Sequence, residues 1–143
     1  MSANLRVDAE LEQLAEVRQF VRQQMIAADA AHDSLDDMVQ AVDEAATNVI
    51  THGYRGAAGW IEVDVEVDDD RCVVTLSDAA PPFDATGVPE PDLSIPPLDR
   101  VPGGMGVHLI RAATDVFEYR PRPGGGNILV MVRSLGPERT KEG

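Results

Sequence analysis

Ile61-Glu62-Val63-Asp64-Val65-Glu66-Val67-Asp68 alternates apolar and acidic residues without a break. Successive side chains of a strand point to opposite faces, so this stretch predicts a half-buried strand with Ile61, Val63, Val65 and Val67 turned toward a core. One acidic face left to water marks an antiparallel sheet rather than a parallel one covered on both sides. Asp69 and Asp70 follow as a turn, and Cys72 to Ser77 reads as the hairpin partner.

Upstream, a short extended start around Leu5 and Val7 leads into Leu11, Leu14, Val17, Val21 and Met25, an amphipathic helix whose stripe Phe20 widens. A second helix begins after Asp33 or Ser34, either of which is a suitable cap. It carries Leu35, Met38, Val39, Val42, Val49 and Ile50 on one side and ends at Gly53. Downstream, residues 79–102 hold prolines 81, 82, 89, 91, 96, 97 and 102. That density excludes a helix interior or a central strand and predicts a long functional loop, a lid.

Past the loop, Gly103-Gly104-Met105-Gly106 opens a short helix bearing Val107, Leu109 and Ile110. Two strands near 116–120 and 128–133 follow, joined by Gly124-Gly125-Gly126. The order of elements predicts an α+β two-layer sandwich, a mainly antiparallel sheet covered on one face by helices.

A chain of 143 residues, 43% hydrophobic, suits one domain over 1–135, with the polar 136–143 as a flexible tail. The formal net charge of −13 repels phosphate backbones and disfavours nucleic-acid binding. It favours a basic protein partner, and a bound nucleotide here calls for a metal ion to offset its phosphates. The single cysteine, Cys72, provides neither a disulfide framework nor a thiol cluster. With no leader pattern and no apolar run long enough to span a bilayer, the expected location is the cytoplasm, away from membranes.

Three places are suited to chemistry. On the second helix, Glu44 and Asn48 are one turn apart, flanked by the small Ala41 and Ala45, with His52 continuing the row. A carboxylate there can act as a general base and an amide oxygen can bind a hard cation; the same pair also suits a solvated helix face. Asp78 closes a strand before Ala79-Ala80-Pro81-Pro82-Phe83-Asp84, where it can accept a hydrogen bond from an exocyclic amine such as adenine's, or cap a turn. The glycines at 103, 104 and 106 let backbone N–H groups at a helix start approach a polyanion, although such glycines are also a common loop device. No Gly-Lys-Ser/Thr follows them and no strand feeds them directly, which excludes a Walker loop and a dinucleotide-binding fingerprint.

In this order the three places resemble the Bergerat-fold ATPases, the histidine-kinase-like superfamily, and within it the anti-sigma factor serine/threonine kinases. Residues 42–54 look like their N box, with Glu-x-x-x-Asn and then His-Gly-Tyr; 78–84 resembles the G1 box and 103–110 the G2 box. The resemblance implies that Glu44 is the general base for an attacking serine hydroxyl, that Asn48 ligates Mg2+, and that Asp78 holds the adenine amine of ATP. It places His52, Ala80, Met105, Val107 and Asn127 along the nucleotide pocket and wraps the phosphates in Gly103, Gly104 and Gly106. It further implies an anti-sigma regulatory factor that sequesters a sigma factor, phosphorylates an anti-anti-sigma factor of the small STAS-domain type, and forms a homodimer.

The chain departs from the family pattern at two positions. Ala80 stands where the G1 box has glycine, so its methyl is expected near the adenine. Asn127 follows Gly126 where the family often has a Gly-Thr pair. These departures motivate an alternative, a non-catalytic module that sequesters its partner with or without nucleotide. Arg100 beside the G2 box suits a phosphate contact or a solvated charge equally.

Overall fold

The computed structural model describes residues 1–87, 94, 96 and 104–136. Along the chain run β1 (Ser2–Asp8), α1 (Leu14–Ala27), α2 (His32–Asn48), β2 (Trp60–Val67), β3 (Arg71–Asp78), α3 (Gly104–Ala113), β4 (Val116–Pro121) and β5 (Asn127–Ser134). The five strands form one sheet in the order β1-β2-β3-β5-β4, and every neighbouring pair is antiparallel.

The alternation of 61–68 is realised in β2, where Ile61, Val63 and Val65 are buried and the acidic residues between them reach solvent. Cys72, Val74 and Leu76 of β3 and Leu129 and Met131 of β5 extend the same apolar surface. Val17, Val21 and Met25 of α1, Met38 and Val42 of α2, and Val107 and Ile110 of α3 complete one continuous core. Burial of this kind contributes on the order of 1.5–3 kcal/mol per large side chain, which makes it the main source of stability. The expected two-layer α+β sandwich with helices on one face of the sheet is the architecture found. Burial also pushes the Cys72 thiol up to about 12, so it stays protonated and unreactive at neutral pH.

Two local expectations need correction. Neither Asp33 nor Ser34 caps α2. The cap position is Ala31, with no side-chain bond, and the helix entry is fixed instead by a bond from the Ala31 N–H to the Leu135 carbonyl (2.7 Å). A tertiary hydrogen bond replaces the local cap, and Ser34 is buried within the first turn. Leu11 is not on the apolar stripe of α1. It lies in a preceding 3-10 turn (Leu11–Gln13), whose tighter winding breaks the helical phase, and it is 53% exposed.

The second helix does finish at Gly53, but through a widened π turn, Val49–Gly53, closed by Tyr54 N–H to Val49 O (2.8 Å). Ion pairs Arg18–Asp43 and Arg133–Asp37, both 2.9 Å, tie α2 to α1 and to β5. Among the described residues no helix is long and apolar enough to cross a membrane. The expected lid of 79–102 is described only at 79–87, 94 and 96. The rest of it, Arg100, Gly103 and the tail beyond Gly136 lie outside the described residues.

Candidate functional site

The C-terminal half of α2, the π turn, the end of β3, the start of β5 and α3 surround a cavity of about 840 Å3, within the range of small-molecule sites. Ala45, Asn48, Val49, His52 and Gly53 line one side. Asp78, Ala80, Pro81, Pro82 and Phe83 line another, and Val107, Ile110, Asn127 and Leu129 close it. Two of the three stretches singled out in the sequence, 42–54 and 78–84, therefore line one pocket together with Val107 and Ile110 just past the glycines, whereas Glu44 and Gly106 stand beside it against the lining Asn48.

At its inner end lies Asp78, with no solvent exposure. Antiparallel register makes Asp78 the partner of Ile61 on one side and of Asn127 on the other. Its Oδ1 accepts hydrogen bonds from the Ala80 N–H (2.9 Å) and from Asn127 Nδ2 (2.9 Å). Its Oδ2 is buried without a partner among the described residues. Burial raises the carboxyl above the usual carboxylate range, opposed by the Asn127 and Ala80 hydrogen bonds and the charge of Arg122. An orphaned buried acceptor is costly and calls for a donor such as an amine.

Asn127 does more here than fill a position. Nδ2 also donates to the carbonyls of Pro81 (3.2 Å) and Ala80 (3.4 Å), while Oδ1 accepts from the Phe83 N–H (2.8 Å) and the Tyr119 hydroxyl (3.0 Å). The side chain thus fixes the root of the loop after β3 to the sheet. Gly126 permits the approach: its φ is +117°, and a Cβ there would lie 2.0 Å from the Asp78 carbonyl oxygen. The Ala80 methyl finds its room at Gly53, where an added Cβ would stand 3.1 Å from it.

At the other end, α3 starts with the glycine-rich segment and packs against α2. Gly106 sits directly over the Glu44–Asn48 pair: a Cβ at 106 would lie 3.2 Å from Glu44 Oε2 and 3.3 Å and 3.5 Å from the Asn48 amide atoms. The two polar residues and the glycine thereby converge, although 58 residues separate Asn48 from Gly106 in the chain. Gly104 and Met105 form the first turn of α3, whose N–H groups and dipole suit a polyanion. His52 is exposed and Val107 buried, and both line the pocket. Among the described residues no group of three or more His, Cys, Asp or Glu side chains could hold a metal.

Sequence reasoning missed three pocket features. Phe83 is 59% exposed at the wall with its N–H held by Asn127. Arg55 lines the pocket in the left-handed region (φ 54°). Tyr54 lines it too, with a fully engaged hydroxyl. Only Tyr54 had a signal, as the last residue of His-Gly-Tyr.

The chain is 28% identical to the serine-protein kinase RsbW of Bacillus licheniformis over 120 residues, 79% of this chain and 72% of the relative. It is 29% identical to the RsbW of Staphylococcus aureus over 128 residues, 84% and 79% of the two chains. It is 24% identical to the anti-sigma F factor of Thermoanaerobacter pseudethanolicus over 116 residues, 78% of each. A crystal structure of the RsbU and RsbW domains of a Mycobacterium tuberculosis protein superposes with a TM-score of 0.65 at 19% identity. The match covers 98% of this chain and 35% of that one, and it shows the shared fold. Residues 7–133 match the model of the histidine kinase-like ATPase domain, and the chain belongs to that family.

Proposed function

We propose that this protein is an ATP-dependent serine protein kinase of the anti-sigma type. It sequesters a sigma factor and phosphorylates a serine of a small anti-anti-sigma partner, acting in the cytoplasm as a homodimer. The observation that carries this reading is a pocket with a donor-seeking carboxylate oxygen at its inner end and Asn48 in its wall, where Glu44 and Gly106 converge on Asn48 beside the pocket. Relatives named serine-protein kinase RsbW and anti-sigma F factor support it.

Bound MgATP supplies the transferable phosphoryl group and a cation that offsets its charge. Asp78 Oδ2 accepts a hydrogen bond from the adenine amine, which satisfies the orphaned oxygen. Val107, Ile110 and Leu129 give the base an apolar wall. Gly104 and Gly106 leave the first turn of α3 open to the phosphates, and the Asn48 amide oxygen would hold the Mg2+ that offsets their charge. Glu44 takes the proton of the acceptor serine as the serine oxygen bonds to the γ-phosphorus and the bond from that phosphorus to ADP breaks, releasing ADP. Such chemistry needs mostly positioning and charge stabilisation, so this short inventory suffices.

The test is phosphate transfer from ATP to the serine of an anti-anti-sigma factor. Glu44→Ala is expected to lose roughly 10³-fold in transfer rate, within the range for a general base, while still binding ATP and the sigma factor. Full transfer by that variant removes Glu44 from its role. Capture of a sigma factor by the wild type without any transfer would establish the non-catalytic sequestering module instead.

A further inference from the structure

The Tyr54 hydroxyl accepts hydrogen bonds from the N–H groups of Ala79 (2.8 Å) and Trp60 (3.3 Å) and donates to the Trp60 carbonyl (2.8 Å). A phenol has one proton and two lone pairs, so its capacity is used in full. The ring is 9% exposed and lies over Gly59, where a Cβ would stand 2.2 Å from a ring carbon. Three elements meet at this one oxygen: the end of the π turn, the first residue of β2 and the residue after β3.

Ala79 is the residue next to Asp78. Gly126 presses on the Asp78 carbonyl from one side, and Tyr54 holds the following N–H from another. Asn127 and Ala80 occupy Oδ1, which leaves Oδ2 as the single free acceptor of that carboxylate. The direction in which Oδ2 faces thus depends on a backbone position that Tyr54 fixes.

We propose that Tyr54 is a positioning residue for base recognition: by clamping Ala79 it holds Asp78 Oδ2 where it accepts from a 6-amino purine and rejects a 6-oxo purine. A carboxylate oxygen attracts the amine of adenine and repels the carbonyl of hypoxanthine. This inference rests on the reading of the pocket as an ATP site. It concerns Tyr54 alone, since the residue touches neither phosphate-side group, Glu44 nor Asn48, in any hydrogen bond of the structure.

The experiment is calorimetric titration of the full chain and its Tyr54→Phe variant with Mg-ATP, Mg-ITP and Mg-triphosphate. The wild type is expected to prefer ATP over ITP by roughly 10²-fold. In Tyr54→Phe, ATP affinity is expected to fall about 10-fold with ITP and triphosphate unchanged, so that the ATP/ITP ratio falls about 10-fold. An unchanged ratio, whatever the loss for both nucleotides, overturns the role of Tyr54 and leaves the ATP site standing. A wild type that binds neither nucleotide, or both equally, overturns the ATP reading and this inference with it. Should the variant fail to fold, hydrogen exchange in the wild type still decides. The Ala79 amide is expected to exchange as slowly as amides inside β3, and fast exchange there overturns the clamp.

Discussion

Asp78, in the pocket, and Glu44, beside it one turn from the lining Asn48, occupy opposite settings. Asp78 is wholly buried, hydrogen-bonded through one oxygen to two donors, and gripped by backbone contacts from Gly126 and Tyr54. Glu44 is half-buried on a helix, and what defines its surroundings is a missing side chain, that of Gly106. In the proposed ATP reading, the base end is prepared by the sheet in advance of any ligand. The phosphate end is kept open by glycine and supplied with helix N–H groups. Rigid readout of a base and accommodation of a large charged group are different tasks, and the proposed function gives each to a different kind of element.

The strongest way to break this contrast is Gly126→Ala. A Cβ 2.0 Å from the Asp78 carbonyl cannot be absorbed by a side-chain shift, and φ of +117° disfavours any L side chain. The expected loss is at least about 3 kcal/mol of stability, read from denaturant midpoints. A loss below about 1 kcal/mol would show that the base end is not rigid.

Asp78→Asn sharpens the contrast by separating function from stability. The amide can still accept from Ala80 and Asn127 through its oxygen, but it turns N–H toward the adenine amine. ATP affinity is expected to fall about 100-fold in calorimetry. Because burial raises the folded carboxyl above its unfolded value, the native state binds the proton more tightly, and ionisation at neutral pH destabilises the wild type. Asp78→Asn is therefore expected to be the more stable protein at neutral pH. That advantage shrinks as pH falls through the folded value and is gone below the ordinary carboxylate value of 3.8. Urea titrations of both proteins across acid and neutral pH check it; an advantage that grows on acidification would contradict the burial effect.

The smallest effect is expected at the open end. Gly106→Ala adds a methyl 3.2 Å from Glu44 Oε2, tight enough to push the carboxylate aside. Phosphate transfer is expected to drop roughly 10-fold, since small misplacements of reacting groups are costly. Stability should stay level or rise by up to about 1 kcal/mol, because alanine is the better helix former. Equal loss of stability and activity would mean that Gly106 serves packing alone.

Much of the fold was legible in local pattern. The period of two at 61–68 announced the buried face of β2, and the helical spacing of Val17, Val21 and Met25 announced that of α1. The glycines at 104 and 106 marked the start of α3 as an open one. The site was legible only in part. Glu44 and Asn48 are recognisable as a pair because one helical turn joins them, whereas their meeting with Gly106 depends on how α3 packs on α2. The cap of α2 was misread for the same reason: Asp33 and Ser34 carry the local capping chemistry, yet a carbonyl from Leu135, a hundred residues away, already fixes the entry.

The sequence by itself determined the element order, the antiparallel sheet and the residue types able to meet a nucleotide, because periodicity and turn chemistry act over a few residues. The tertiary structure alone decided which of those residues cooperate. Asn127 reaches Asp78 across 49 residues through strand register, and Tyr54 reaches Ala79 across 25 through the closure of the π turn onto the sheet. Register and packing are set by the shared core, which no short window of sequence contains.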